Sequence, residues 1–299
     1  MTWEADYNVI APAGEGTYSV DLLGWVTMEN YTGRDFEDAR IKLMAGDVHK
    51  LQPHFGLYPR AEMRSSVAWD GFQEAVTERS FDEYHLYTLS YPTTLRDRQT
   101  KQVEFVRGDD VAAERVYVYD GVWIDPNQYQ GWTYENIRQD RSYGTRSNPK
   151  VWVMRELENT KANGLGMPLP AGRVRFYQQD KDGQLEFVGE NMIDHTPRDE
   201  TLRIYTGNAF DLVGDRTQTQ FEVNWDDDWL DESFEIELRN HKDEPVEILV
   251  VERLYRWTNW DISKSNHDWS KVDSRTIEFR VRLEPNESKT ISYTAHYTW

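Results

Sequence analysis

Apolar and polar residues alternate with a period of two along most of this chain, and that period is the signature of half-buried β-strands. Residues 168–211 show it most fully, as PLPAGRVRFYQQDKDGQLEFVGENMIDHTPRDETLRIYTGNAFD. In 173–178, Val174 and Phe176 fall on one face and Arg173 and Arg175 on the other. Asp182-Gly183 then predicts a two-residue hairpin turn with positive φ. Leu185 and Phe187 alternate with Glu186 on the way back. After the polar loop 194–200, Leu202, Ile204 and Tyr205 begin a third strand.

The same alternation predicts strands over 3–10 and 18–29, with Gly24 as a bulge, and over 39–45, 81–89 and 151–157. It continues over 219–225, 233–239, 246–254, 275–283 and 289–298. Residues 101–106 are expected to pair with 115–119. Residues 47–79 read differently. Pro53 and Pro59 interrupt the stretch, and Met63, Val67, Phe72 and Val76 fit one side of a helix in 60–78. The turn-rich stretch 121–148 marks a boundary. The fold expected is all-β: an antiparallel β-sandwich architecture of two packed immunoglobulin-like units. They divide as 1–145, with a long partly helical insertion at 50–80, and 146–299. Three strand ends echo one another, VTMEN at Asn30, RELEN at Asn159 and IELRN at Asn240. Asn suits such exits because it tolerates the left-handed conformation.

Composition narrows the chemistry. With 34 Lys and Arg against 53 Asp and Glu, the chain carries a formal charge of −19. It therefore repels nucleic-acid phosphates and anionic lipid, and no partner of that kind is expected. The absence of cysteine removes disulfides, thiolate nucleophiles and Cys-ligated metals. No apolar run reaches the roughly 20 residues that span a bilayer. No n-region and h-region precede Trp3, so the reading is of a processed or trimmed portion of something longer.

Twelve Trp, 17 Tyr and 11 Phe suit β-sheet cores, and also stacking on sugar rings. Trp123, Tyr129, Trp132 and Tyr134, interleaved with Asn, Gln and Arg, are the candidate ligand-binding residues. They fit a sugar or peptide unless the rings fold back over the core. Asp226, Asp227, Asp228 and Asp231 beside Glu232 form either a solvated loop tip or a hard-cation site, with calcium as the implied ion. Asp180-Lys181-Asp182-Gly183 opens like a calcium loop, lacks its closing glutamate, and reads as a turn. Glu190, Asp194, His195 and Glu200 are the candidate acid–base residues. No nucleophile elbow, P-loop or H-E-x-x-H helix accompanies them.

The runs WEADYNVIAP, DLLGWVTMENYTGRDFEDARIKLMAGDV, FDEYHLYTL, TKQVEF, PLPAGRVRFYQQDKDGQLEFVGENMIDHTPRDE, TGNAFDLVGDR and YTAHYTW together resemble a bacterial family. It is the domain of unknown function numbered 4139, found in mucoidy-inhibitor-like exported proteins. The resemblance implies an all-β, extracytoplasmic C-terminal portion, in the periplasm or at the cell surface, with no catalytic residues to carry over. The function expected is a non-catalytic binding or scaffolding module at the cell envelope, with an envelope or surface protein or polysaccharide as partner. The alternative is a carbohydrate-active or metal-assisted hydrolase using the carboxylates around 190–200.

Overall fold

The computed structural model describes residues 1–13, 18–46, 76–81 and 84–299. They are nearly all β, in several antiparallel sheets. The helix expected in 60–78 lies outside the described residues up to 75, and 76–78 belong to a strand. Residues group into two compact units, Met1–Arg115 with Arg155–Thr206, and Val116–Met154 with Gly207–Trp299. The division expected at 145/146 is therefore corrected. Each unit is assembled from two separate stretches of chain, because three strands each supply residues to both. They are β8 (Thr100–Asp120), β9 (Lys150–Glu158) and β12 (Thr201–Asn224).

The first unit also holds β1 (Thr2–Ala11), β2 (Tyr18–Glu29), β10 (Gly172–Gln179) and β11 (Leu185–Ile193), in the order β11-β10-β1-β2-β8. β1 and β10 run parallel, and the other pairs are antiparallel. Smaller sheets join β4 (Lys42–Ala45), β6 (Tyr84–Leu89) and β5 (Val76–Phe81), and β3 (Phe36–Ala39) with β7 (Thr93–Leu95). Tyr7, Val9, Leu22, Met28, Val174, Phe176 and Ile204 are fully buried, all on the inward phase of their strands. The Gly24 bulge is present, as a register shift against β8.

Two local expectations are corrected. Residues 101–106 and 115–119 do not form a hairpin, because both lie in the single strand β8. Gly108-Asp109-Asp110 reads as a turn. It serves instead as a bulge, where Asp110 takes φ 55° and the pairing with β2 slips. The β10–β11 turn is a three-residue loop, closed by Asp180 and Gln184, in which Gly183 has positive φ and Asp182 does not.

The second unit pairs β12 with β13 (Trp229–Asn240), β13 with β18 (Ser288–Thr298), and β18 with β15 (Trp260–Ser265), all antiparallel. β14 (Val246–Arg253) pairs with β17 (Thr276–Leu283), which also pairs with the short β16 (Ser270–Lys271), and β14 runs parallel to the end of β8, from Ile248 against Tyr117 to Val251 against Asp120. The six-residue helix α1 (Tyr134–Gln139) starts from a capping box between Thr133 and Asn136.

The echo at Asn30, Asn159 and Asn240 is structural, for a reason other than the one expected. None of the three has positive φ. All three are buried, and each side-chain amide ties a corner together. Asn30 Nδ2 donates to the carbonyls of Arg34, Leu95 and Arg96, while its Oδ1 accepts from Thr32 N–H. Asn159 Nδ2 donates to Met167 and Pro197, and its Oδ1 accepts from Gly166 N–H. Asn240 Nδ2 donates to Glu244 and Glu284, and its Oδ1 accepts from Lys242 N–H. The positive φ belongs to the opposing turn, at Arg98, Asp199 and Asn286. The next carbonyl, of Gln99, Glu200 or Glu287, accepts the Asn backbone N–H in each case. The returning strand then begins at Thr100, Thr201 or Ser288. It lies beside the strand that ended at the Asn, so β2 neighbours β8, β9 neighbours β12 and β13 neighbours β18. One strand-exit, turn and return motif thus occurs three times.

Candidate functional site

The chemistry of the second unit centres on charges in its core. β13 alternates strictly, with Leu230, Phe234, Ile236 and Leu238 inward, and this phase also turns Glu232 inward. Phase likewise turns Arg216 of β12 and Glu252 of β14 into the core. Arg216 Nε lies 3.0 and 2.9 Å from the two Glu252 carboxylate oxygens, with both side chains fully buried. Tyr293 donates its hydroxyl to Glu252 at 2.5 Å. A second pair joins Arg256 Nε to Glu232 at 2.9 Å, also buried, and Tyr297 and Gln218 donate to Glu232. The Arg216 guanidinium carbon sits 3.5 Å from the Phe234 ring centroid, on its face.

The two guanidinium groups also hold the segment 121–148. Arg256 donates to the carbonyls of Ile137, Asp140 and Tyr143, and Arg216 Nη1 to that of Gly144. Gly144 has φ 70°, and a Cβ there would lie 2.3 Å from the Tyr255 ring. Only glycine fits this contact. Tyr255 donates its own hydroxyl to the same Gly144 carbonyl. A loop between strands is thus fixed by polar anchors as well as by apolar packing.

Burial pushes the Glu252 carboxyl upward, while Arg216 and Tyr293 pull against that rise. The tyrosines have a simpler balance. Burial is the leading cause that raises the hydroxyls of Tyr293 and Tyr297, and it pushes Tyr119 up to about 12. A phenol whose folded pKa is raised contributes stability that is intact below its unfolded value near 10. That contribution is lost as pH rises through the folded value. Unfolding free energy is therefore expected to hold to about pH 10 and to fall between about 10 and 12. Tyrosinate absorbance should rise in two stages, the second coinciding with loss of β-sheet circular dichroism. Complete titration below pH 11 with the sheet intact would refute this.

The expected ligand-binding aromatics divide. Tyr129, Trp132 and Tyr143 pack on one another with centroids 4.8 to 6.0 Å apart, and Tyr143 rests on Tyr255 at 5.5 Å. All three are half-buried and spend much of their ring surface on one another. Trp123 is exposed, with the Arg146 guanidinium over its ring. Tyr134 is also exposed, and packs edge-on to Trp257 at 4.9 Å. From there an aromatic strip continues. Arg138 lies 4.6 Å from Trp257 and 4.3 Å from Trp299, and Trp299 meets the exposed Trp225 at 5.4 Å. Arg275 donates to the Tyr134 hydroxyl. Trp225, Trp257, Trp299 and Arg138 escape the sequence reading because they come from four separate stretches.

The acidic run separates into three environments. Asp226, Asp227 and Asp228 form the β12–β13 turn, where Asn224 Oδ1 accepts the N–H groups of Asp226 and Asp227. Asp231 faces outward and meets His296 Nδ1 at 2.5 Å. Glu232 points inward to Arg256. Among the described residues, no group of three or more His, Asp or Glu side chains converges to hold a metal ion. In the first unit, Glu190 lies on β11 within 3.7 Å of Arg175. Asp194, His195 and Glu200 are exposed, and His195 Nδ1 accepts the Ala171 N–H. Arg203 pairs with Glu156 rather than with that loop's carboxylates.

Among the described residues no helix is long and apolar enough to cross a membrane. Comparison with protein-family models, with curated proteins and with solved structures gives no match.

Proposed function

We propose that this chain is a non-catalytic binding or scaffolding module of an exported bacterial protein, working at the cell envelope or surface. The reading extends the resemblance to the domain-of-unknown-function 4139 family. The observation that carries it is the aromatic strip of the second unit. Tyr134 and Trp225 offer open rings at its two ends. Trp257, Arg138 and Trp299 hold those rings in place, so little rotamer entropy remains to be lost on binding. Rigid rings suit the faces of the sugars of an envelope polysaccharide. The buried charges favour the same reading. Glu232, Glu252, Arg216 and Arg256 all have internal partners, which leaves none of these carboxylates open to a substrate.

Affinity electrophoresis of the purified chain through gels containing envelope polysaccharides tests this. Retardation is expected, weakened at least tenfold by Tyr134→Ala and by Trp225→Ala. Trp132→Ala should lower stability and leave retardation of the folded fraction intact. Retardation abolished only by a chelator would move the site to the Asp226–Asp228 turn. Release of reducing ends, lost in Glu190→Gln, would establish the hydrolase instead.

A further inference from the structure

We propose that the polysaccharide taken by the aromatic strip is an acidic one, and that Arg138 and Arg275 bind its carboxylates. This rests on the reading of the strip as a polysaccharide site and adds to it the class of sugar.

Two guanidinium groups carry the inference. Arg138 is half-buried, with its guanidinium carbon over two rings at once, 4.6 Å from the Trp257 centroid and 4.3 Å from that of Trp299. Its Nε donates to the Tyr134 carbonyl at 3.3 Å. Its Nη nitrogens make no hydrogen bond or ion pair with any described residue, and neither is closed off from solvent. Arg275 is exposed and gives one Nη to the Tyr134 hydroxyl at 3.3 Å. Tyr134 thus draws both cations to one open ring, Arg138 through its carbonyl and Arg275 through its hydroxyl.

Neither cation has a carboxylate partner among the described residues. Asp273, two residues from Arg275, accepts the Arg275 backbone N–H at 2.6 Å and makes no ion pair with its guanidinium. Glu135, on the same helix as Arg138, accepts from Gln139. Other arginines of this unit do find carboxylates in so acidic a chain. Arg239 meets Glu237, Arg280 meets Glu247 and Arg282 meets Glu284. The strip therefore offers two uncompensated charges beside its rings. Stacking covers the faces of the Arg138 guanidinium and leaves its Nη edge free, and that edge matches a carboxylate. A neutral sugar would use the rings and leave both charges to water. The Asp226–Asp228 turn adjoins Trp225, so the ligand's carboxylate belongs at the Tyr134 end.

Binding of the full chain to immobilised polymers, read by surface plasmon resonance, tests the assignment. Polygalacturonate, alginate and hyaluronate are each compared with their methyl esters, which keep the sugars and lose the charge. At least one acid is expected to bind, at least tenfold more tightly than its ester. Arg138→Gln and Arg275→Gln should each bring the acid down towards the ester and leave binding of the ester unchanged. An Arg138 that served only to fix Trp257 and Trp299 would weaken acid and ester alike on substitution, which would overturn its assignment. Arg275 is exposed, so Arg275→Gln should melt at the wild-type temperature, which separates a lost contact from a lost fold. Equal binding of acid and ester, or binding of neutral dextran without any of the three acids, overturns the acidic class and leaves the strip as a site for neutral sugars. Binding of no polymer removes the strip as a polysaccharide site, and this proposal with it.

Discussion

Replacing Glu252 by leucine lowers the unfolding free energy by about 3–5 kcal/mol, because it strands a fully buried guanidinium. Arg216 then keeps one carbonyl partner, and the Tyr293 hydroxyl loses its acceptor as well. The triple variant Arg216→Met, Glu252→Leu, Tyr293→Phe recovers most of that loss. It replaces the ionic cluster by apolar groups of similar volume, and the desolvation cost of two buried ions disappears with it. What it does not recover is the link from Arg216 to the Gly144 carbonyl. Urea titration followed by tryptophan fluorescence reads all three steps. A single variant within 1 kcal/mol of wild type would show that the pair is solvated. A triple variant no better than the single would show that the cluster stabilises beyond its own neutrality.

Asn240→Ala costs about 3 kcal/mol or more, a large figure for the loss of one small polar side chain. The amide satisfies the carbonyls of Glu244 and Glu284 and the N–H of Lys242, and alanine leaves all three without it. Asn240→Asp retains the acceptor and loses both donors, so it is expected to fall close to alanine. Asn30→Ala and Asn159→Ala should behave alike in the first unit, since their partners are the same kinds of group. The exposed Asn286, whose contribution is its φ of 58°, should cost only about 1 kcal/mol on change to alanine. Equal losses at Asn240 and Asn286 would mean that the corner is held by backbone geometry alone.

Strand period carried most of the fold. Nearly every stretch with alternating residues became a strand, and the face that carries Val174 and Phe176 is the buried one. The errors arose where local chemistry had two outcomes. Gly108-Asp109-Asp110 has the composition of a turn, and long-range pairing with β2 drew it into a bulge. The alternation that buries Leu230 and Phe234 also places Glu232 between them. The strand expected from sequence starts at 233, which leaves Glu232 in the acidic run, as a solvated loop tip or a hard-cation site. Arg216 and Glu252 sit on the inward phase of their own strands, so a charged residue at an inward position was the available signal for the buried network. The aromatic strip had no such signal. Tyr134, Trp225, Trp257 and Trp299 are far apart in the chain, and nothing in their spacing says that they meet.

The corners at Asn30, Asn159 and Asn240 bear on how this protein reaches its fold. Each offers the same cradle of one amide, one turn with a left-handed residue and one carbonyl, and each receives a strand opening on Thr or Ser. During folding, a returning strand therefore meets two wrong cradles as well as the right one, all matched to it in backbone terms. Side chains further along must reject the mistakes. A β18 docked beside β2 would bring Tyr293 and Tyr297 to a core without Glu252 or Glu232, and leave both phenols without acceptors. The buried charges therefore set a cost on that misplacement of β18 which backbone pairing alone would not impose.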